Sequence, residues 1–227
     1  MSSVASDTLK QNLVLAIMML ERAEIIDFNG HVSTRDLETG HIFINSASSA
    51  RNALTVQDIV AIDETGKPMD GGAAPPMELH IHTEIYKRRP DVHTVIHAHP
   101  RWSTYFSMTG VQIKPVFPQA ALLGHMPLLD RIDSINTAEL GSELAETLGR
   151  NRVALLKSHG SVIAAGTLEE TFALCIYLEE NARRQYMAAS LGTPYILTGQ
   201  EVESCARNLG KPHLYRKVWD YYQAKLR

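Results

Sequence analysis

Residues 94–100 read Thr-Val-Ile-His-Ala-His-Pro. The apolar run reads as a buried strand, and on a strand residues i and i+2 share a face. His97 and His99 therefore project side by side, in a geometry that lets two imidazole nitrogens hold one metal ion at about 2.0–2.1 Å. Other residues add to the pair. Glu78 lies at the start of the preceding helical stretch, just after Pro76, with His82 four residues further along the same face. That stretch turns at Arg88-Arg-Pro-Asp-Val92 and returns as the strand bearing the histidines, which brings the Glu78 carboxylate near them. His159 ends an apolar strand and precedes Gly160, where the backbone turns sharply or approaches another group closely. Three imidazoles and one carboxylate form a borderline-soft set that suits Zn²⁺, with Mn²⁺ or Fe²⁺ as further candidates. His80 reads as an ordinary helix histidine and His125 as structural. Cys175 lies on an apolar helix face with Phe172, Ile176 and Leu178, so it reads as core and not as a nucleophile.

The elements that must position these residues follow from periodicity and punctuation. A helix is expected from Ser6 to about Ala23, with Asp7 as its cap. Strands are expected at 41–45, 59–63, 93–99, 113–117, 124–129, 152–160 and 161–166. Helices are expected at 77–89, from near Pro100 to Gly110, and at 137–148, 168–191 and 213–225. Residues 64–76 form a long loop rich in Gly and Pro. Strands and helices mix without strict βαβ alternation, which points to a mixed or antiparallel sheet covered by helices, in one domain spanning 1–227. Tyr215, Trp219 and Tyr222 recur at helical spacing and read as packing residues or a cap over a neighbouring site.

Composition limits the function classes. The chain has 227 residues, 44% hydrophobic and 21% charged, with a formal net charge of -3. No basic stripe suits nucleic acid. The apolar run at 13–20 is too short to span a bilayer and is followed by Glu21 and Arg22, so no membrane association is expected. The two cysteines, Cys175 and Cys205, form no CxxC pair, which favours a reducing compartment and a cytoplasmic protein.

"MELHIHTEIYKRRPDVHTVIHAHP" followed some sixty residues later by "LLKSHGSVIAAGTLEETF" resembles the class II aldolase/adducin family, and the resemblance runs from "NGHVSTRD" (29–36) to the 168–191 helix. It implies an α/β fold, a three-layer α-β-α sandwich with a central, largely antiparallel mixed sheet, assembled as a homotetramer with sites at subunit interfaces. It also implies that His97, His99 and His159 are the metal histidines, with Glu78 a ligand in the resting site and an acid/base once substrate displaces it.

Departures from the family pattern bear on the substrate. Where the sugar-phosphate aldolases hold phosphate, the matching positions here are Gly30-His31, Ala47-Ser48 and Pro76-Met77. Pro76 has no backbone N–H to donate, and a phosphate dianion needs several donors or charges. Gln119 stands where the aldolases carry an acidic tyrosine. The "GHVSTRD" and "INSASSAR" patterns resemble the branch that decarboxylates hydroxylated aromatic or pyridine dicarboxylates. In that reading Ser46, Ser48, Ser49 and Arg51 bind a carboxylate, with His31 holding an acidic substituent. The expected reaction is metal-dependent decarboxylation of a small, non-phosphorylated molecule through a metal-stabilised enolate. Aldol cleavage or epimerisation of a sugar phosphate or hydroxy-keto acid, a non-heme iron oxygenase, and a non-catalytic scaffold are the alternatives.

Overall fold

The computed structural model describes residues 2–69 and 71–226. Its centre is a seven-stranded sheet in the order β3-β2-β1-β4-β7-β6-β5. The strands are β1 (His31–Arg35), β2 (Ile42–Asn45), β3 (Ile59–Ile62), β4 (Thr94–Ala98), β5 (Leu128–Leu129), β6 (Val153–Leu156) and β7 (Gly160–Ala165). Every pairing is antiparallel except β5 with β6. The helices are α1 (Ser2–Arg22), α2 (His80–Arg88), α3 (Arg101–Ser107), α4 (Ala138–Leu148), α5 (Leu168–Leu191), α6 (Gly199–Leu209) and α7 (Pro212–Ala224).

Alternation along the strands divides the apolar residues into two cores, one on each sheet face. Val32, Ile96, Ala98 and Ile163 pack with Leu13, Ile17 and Leu20 of α1 and with Phe172 and Leu178 of α5. Ile44, Val60, Val95 and Val162 pack with Ile81 and Ile85 of α2 and with Leu144 and Leu148 of α4. The layers are therefore helix, sheet, helix, as expected. The second face also carries the chemistry: His31 and Ser33 of β1 and His97 of β4 share it with Val95. Cys175 is buried in the first core, as its helix position implied. Trp219 and Tyr222 of α7 each stack edge-on against Phe172 of α5, with ring centroids 5.5 Å apart, so these aromatics pack within the chain.

Helix ends follow local chemistry. Thr137 and Thr167 cap α4 and α5 by accepting from the backbone N–H of Leu140 and Glu170. α6 is a helix that periodicity alone did not reveal. Its signal is a capping box, in which Thr198 and Glu201 satisfy each other's backbone N–H groups. Asp7 does not cap α1, which starts at Ser2. The apolar stripe of that helix, and not a cap, decides where it lies.

The largest departure is at residues 113–117. The β-branched and aromatic run there predicts a strand, but no strand pairs with it. Two side chains one turn apart on α5 take the place of a neighbouring strand. Gln185 accepts from Lys114 N at 2.7 Å and donates to Gln112 O at 2.9 Å. Asn181 accepts from Val116 N at 3.0 Å and donates to Lys114 O at 2.9 Å. A helix thus meets the backbone demand that a strand ladder would otherwise meet. The 124–129 run shortens to β5: Leu128 and Leu129 pair with β6, and Pro127 O accepts from Leu155 N at 2.8 Å. Asn181 is fully buried. Asn181→Ala should destabilise the protein by about 1–3 kcal/mol, because it leaves Lys114 O and Val116 N unpaired; urea denaturation with an unchanged m-value measures the loss.

Candidate metal centre

Sheet register brings distant histidines together. His31 of β1 lies directly opposite His97 of β4, and directly opposite residues share a face. Their ring centroids are 5.0 Å apart. His99 lies just past the end of β4. The β6–β7 hairpin turns through Lys157–His159, with Ser158 in the left-handed region at φ 53°, the conformation a three-residue hairpin loop requires. Ser158 N is held by Ser107 Oγ at 3.1 Å, which sets the loop so that His159 meets the other histidines. The His99 and His159 rings stack with centroids 5.1 Å apart. Gly160 is required here because a Cβ at this position would collide with the Ala98 carbonyl oxygen and press on His99. The close approach that glycine permits is what puts the hairpin next to β4.

Glu78 sits in a turn ahead of α2 and not in its first helical turn. Leu79 N bonds Pro76 O, and Ile81 N bonds Glu78 O; these tight i→i+3 contacts lead into the helix. The loop before α4 fixes the carboxylate, since Oε1 accepts from Ser134 Oγ at 2.9 Å and from Ile135 N at 2.8 Å. Glu78 Oε2 then lies 3.4 Å from His97 Nε2, and Oε1 lies 3.7 Å from His159 Nε2. His97 Nε2 and His99 Nε2 are 3.1 Å apart. One ligand atom from each of Glu78, His97, His99 and His159 falls within 4.8 Å of the others.

The donor set fits a divalent cation. His97 Nδ1 lies 3.1 Å from Ser161 O. A carbonyl can only accept, so the proton is on Nδ1 and the Nε2 lone pair faces the cluster. Burial lowers His97 and His99 to about 4 from the ordinary 6.5, which keeps both rings neutral and able to ligate at neutral pH. Burial pushes the Glu78 carboxyl up, but the neighbouring His31 and the backbone N–H of Ile135 outweigh it and hold the group far below the usual carboxylate range, hence ionised. Converging lone pairs with one negative charge are what a metal ion would neutralise.

Beside the cluster lies a cavity of about 550 Å³, lined by His31, Arg51, Pro76, Glu78, His99 and His159 among others. Arg51 is 5% exposed. Its Nε donates to Gly30 O at 3.0 Å, and its Nη1 donates to Ser46 O, to Ser49 O and, at 2.7 Å, to Ser49 Oγ. Nη2 takes none of these bonds, and no carboxylate among the described residues forms an ion pair with the guanidinium. Ser46 is buried behind this loop with its Oγ unpartnered. Ser48 is exposed and lines, with Phe28 and Asn52, an adjoining depression that shares Asp27, Ala47 and Arg51 with the metal cavity. Gln119 is half-buried in the 3₁₀ turn at Pro118–Leu122 and does not line the metal cavity of its own chain. His125 is exposed on another cavity. Sequence reasoning did not place His82 fully buried behind His31, with its Nε2 2.6 Å from His31 Nδ1. The i+4 spacing from Glu78 was its only signal.

The sequence profile of the Class II Aldolase and Adducin N-terminal domain matches residues 11–186, and the chain belongs to that family. Two relatives show its range. A 3,4-dihydroxyphthalate decarboxylase of Arthrobacter keyseri is 28% identical over 197 residues, covering 81% of this chain and 79% of the relative. An L-fuculose phosphate aldolase of Methanococcus vannielii is 29% identical over 185 residues, covering 80% and 97%. Among solved structures, an L-fuculose 1-phosphate aldolase from Glaciozyma antarctica superposes with TM-score 0.84 at 23% identity, covering 96% of this chain and 88% of that one. An aldolase II superfamily protein from Pseudomonas syringae gives TM-score 0.86 at 20% identity, covering 97% and 92%. These likenesses match the sheet and layers described above.

The buried histidines make stability depend on pH. His31, His82, His97 and His99 all have lowered values in the fold. Below 6.5 the unfolded chain therefore binds protons that the folded chain refuses, and stability falls as pH falls from 6.5 toward 4. Urea denaturation of metal-free protein should give a lower unfolding free energy at pH 5 than at pH 7. Added Zn²⁺ should stabilise more at pH 7 than at pH 5. Equal stability at both values would contradict the neutral, buried state assigned to these rings.

Proposed function

We propose that this chain is a decarboxylase acting on a hydroxylated aromatic or heteroaromatic dicarboxylate, within the metal-dependent lyases that make up its curated relatives. The observation that carries the reading is Arg51, a buried guanidinium without a carboxylate partner that lines the cavity beside the metal-ligand cluster. Protein groups fix its Nε and Nη1, and the remaining Nη2 suits a substrate carboxylate. Pro76, also on the lining, can donate no N–H. The cavity therefore suits a planar carboxylate better than a phosphate dianion.

Glu78, His97, His99 and His159 would hold the cation, with Zn²⁺ the first candidate and Mn²⁺ or Fe²⁺ the others. When bound, it supplies Lewis-acid stabilisation of the negative charge that builds on a substrate oxygen as the carbon–carbon bond breaks. Arg51 orients the ring through one carboxylate, and His31 contacts an acidic substituent. Glu78 would be one of the residues holding the cation, and as the acid/base it would take the proton of the substrate hydroxyl and return it to the carbon that loses CO₂. The carbon–carbon electron pair ends as a C–H bond, and charge and atoms balance. Ser46 and Ser48 act by shaping the loop that carries Arg51. Gln119 stands outside this chemistry within one chain. The competing reading is aldol cleavage of a phosphorylated ketose, supported by the aldolase relative at 29% identity.

The same reading carries assembly as a homotetramer. Met77 of the cavity lining is 72% exposed, Phe28 and Ile132 are 82% and 72% exposed, and apolar exposure of this kind suits a subunit contact. No described helix is long and apolar enough to cross a membrane. Light scattering should give four times the chain mass.

Metal-loaded protein is to be screened against hydroxylated dicarboxylates for CO₂ release and against phosphorylated ketoses for aldehyde release. CO₂ release that EDTA abolishes and Zn²⁺, Mn²⁺ or Fe²⁺ restores is expected. Arg51→Gln should lower kcat/KM roughly 10- to 150-fold, the worth of a hydrogen bond to a charged acceptor. Aldehyde release from a ketose phosphate, with no CO₂ from any dicarboxylate, would reverse the substrate assignment.

A further inference from the structure

A chain of buried polar groups runs from the metal cavity back into the second core. His31 Nδ1 lies 2.6 Å from His82 Nε2. His82 Nδ1 lies 2.6 Å from Ser33 Oγ, and Ser33 Oγ lies 2.8 Å from the Tyr86 hydroxyl. All four residues are buried, between β1 and α2. No water path is needed to satisfy them, and the chain ends on Tyr86, near the carbonyls of Ser33 and His93 at 3.1 and 3.3 Å. It is therefore a dead end for protons and not a conduit to solvent.

Such a chain can be ordered in two directions. In one, the Tyr86 proton goes to a carbonyl, Ser33 donates to Tyr86, His82 to Ser33 and His31 Nδ1 to His82. His31 Nε2 is then a bare lone pair. In the other, Tyr86 donates to Ser33 Oγ, Ser33 to His82 Nδ1, and His82 Nε2 to His31 Nδ1. His31 Nε2 then carries the proton. The cavity end favours the second order. At the cavity end, His31 Nε2 lies 3.7 Å from the Glu78 Oε2 atom, and a carboxylate can only accept. A lone pair in that position would face negative charge in a water-poor site.

We propose that His31 is a neutral hydrogen-bond donor to the substrate, its proton held on Nε2 by the Tyr86–Ser33–His82 chain. His82, Ser33 and Tyr86 are positioning residues. A fixed neutral N–H polarises an oxygen as charge builds on it, without a proton having to leave. The substrate must accordingly place an acceptor, a carboxylate or carbonyl oxygen, on the β1 side of the cavity between Glu78 and Arg51. This deepens the carboxylate-substrate reading and rests on it for the choice of acceptor. The tautomer does not depend on that reading.

The test uses Zn²⁺-loaded protein with ¹⁵N-labelled histidine, with the His31 signals assigned by their loss in His31→Gln. Long-range ¹H–¹⁵N correlation is expected to show a proton on Nε2 and a bare Nδ1. A ring protonated on Nδ1 alone, or on both nitrogens at neutral pH, overturns the proposal. A second arm compares binding of catechol, which can chelate without a carboxylate, with 2,3-dihydroxybenzoate, which adds one. His31→Leu should weaken the second ligand roughly 10- to 150-fold relative to the first, and His31→Gln, which keeps an N–H donor, should recover part of it. Equal loss for both ligands overturns the donor role. Failure to release CO₂ from any dicarboxylate would instead count against the decarboxylase reading and leave the tautomer result standing.

Discussion

Five imidazoles and a carboxylate, buried or half-buried at one end of a sheet, must all be satisfied with little water to help, and this constraint orders the surrounding structure. Each group that is not turned to the metal cluster has a partner elsewhere or a stated cost. His97 spends Nδ1 on a carbonyl of the neighbouring strand. Glu78 is tied down by Ser134 and Ile135. His31 and His82 pass their demand inward to Ser33 and Tyr86. His159 Nδ1 and Ser161 Oγ are the exceptions, buried without a partner, and both sit on the hairpin that closes the site. The candidate ligands are thus aimed by bonds behind them, the kind of support that lets a site keep its geometry before an ion arrives.

The sheet supplies the rigidity. Three adjacent central strands, β1, β4 and β7, carry or flank His31, His97, His99 and His159, and their register puts His31 opposite His97 and His97 opposite Val162. A slip of one residue in β4 would turn His97 into the first core and Ile96 into the site. The apolar partners of the strand therefore protect the chemistry: Val95 and Ile96 prefer opposite cores, and this preference holds the histidine on the correct face. Helix α2 answers the same logic from above, with Ile81 and Ile85 in the core and His82 and Tyr86 against β1.

The cavity divides into two parts with different chemistry. One side is the metal-ligand cluster. The other is lined by Arg51, held by carbonyls and a serine hydroxyl, and by His31, held through its buried chain. The lining on this side offers one guanidinium edge, one imidazole and a proline without an N–H. Substrate choice is therefore a matter of which anion can be satisfied by few, well-fixed donors.

The sequence alone determined much of this. His97 and His99 on one strand face follow from a period of two and needed no coordinates, and the heavily apolar segments placed most helices and strands. Glu78 and His159 were recognisable because a proline, a turn and a glycine mark their surroundings. What only the tertiary structure decided depends on contacts between distant segments. The 113–117 run has strand-like residues, yet Asn181 and Gln185, some seventy positions away, claim its backbone. The Thr198–Glu201 capping box was written in the sequence, but apolar periodicity gave it little weight. Arg51 could have been an ordinary surface charge; the carbonyls of Gly30, Ser46 and Ser49 make it a buried one. The role of His82 was undecidable from a helical spacing, because its partners lie on β1, some fifty residues earlier. Local pattern reports which face a side chain takes, whereas a hydrogen-bond partner is chosen by whatever the fold brings within about 3 Å.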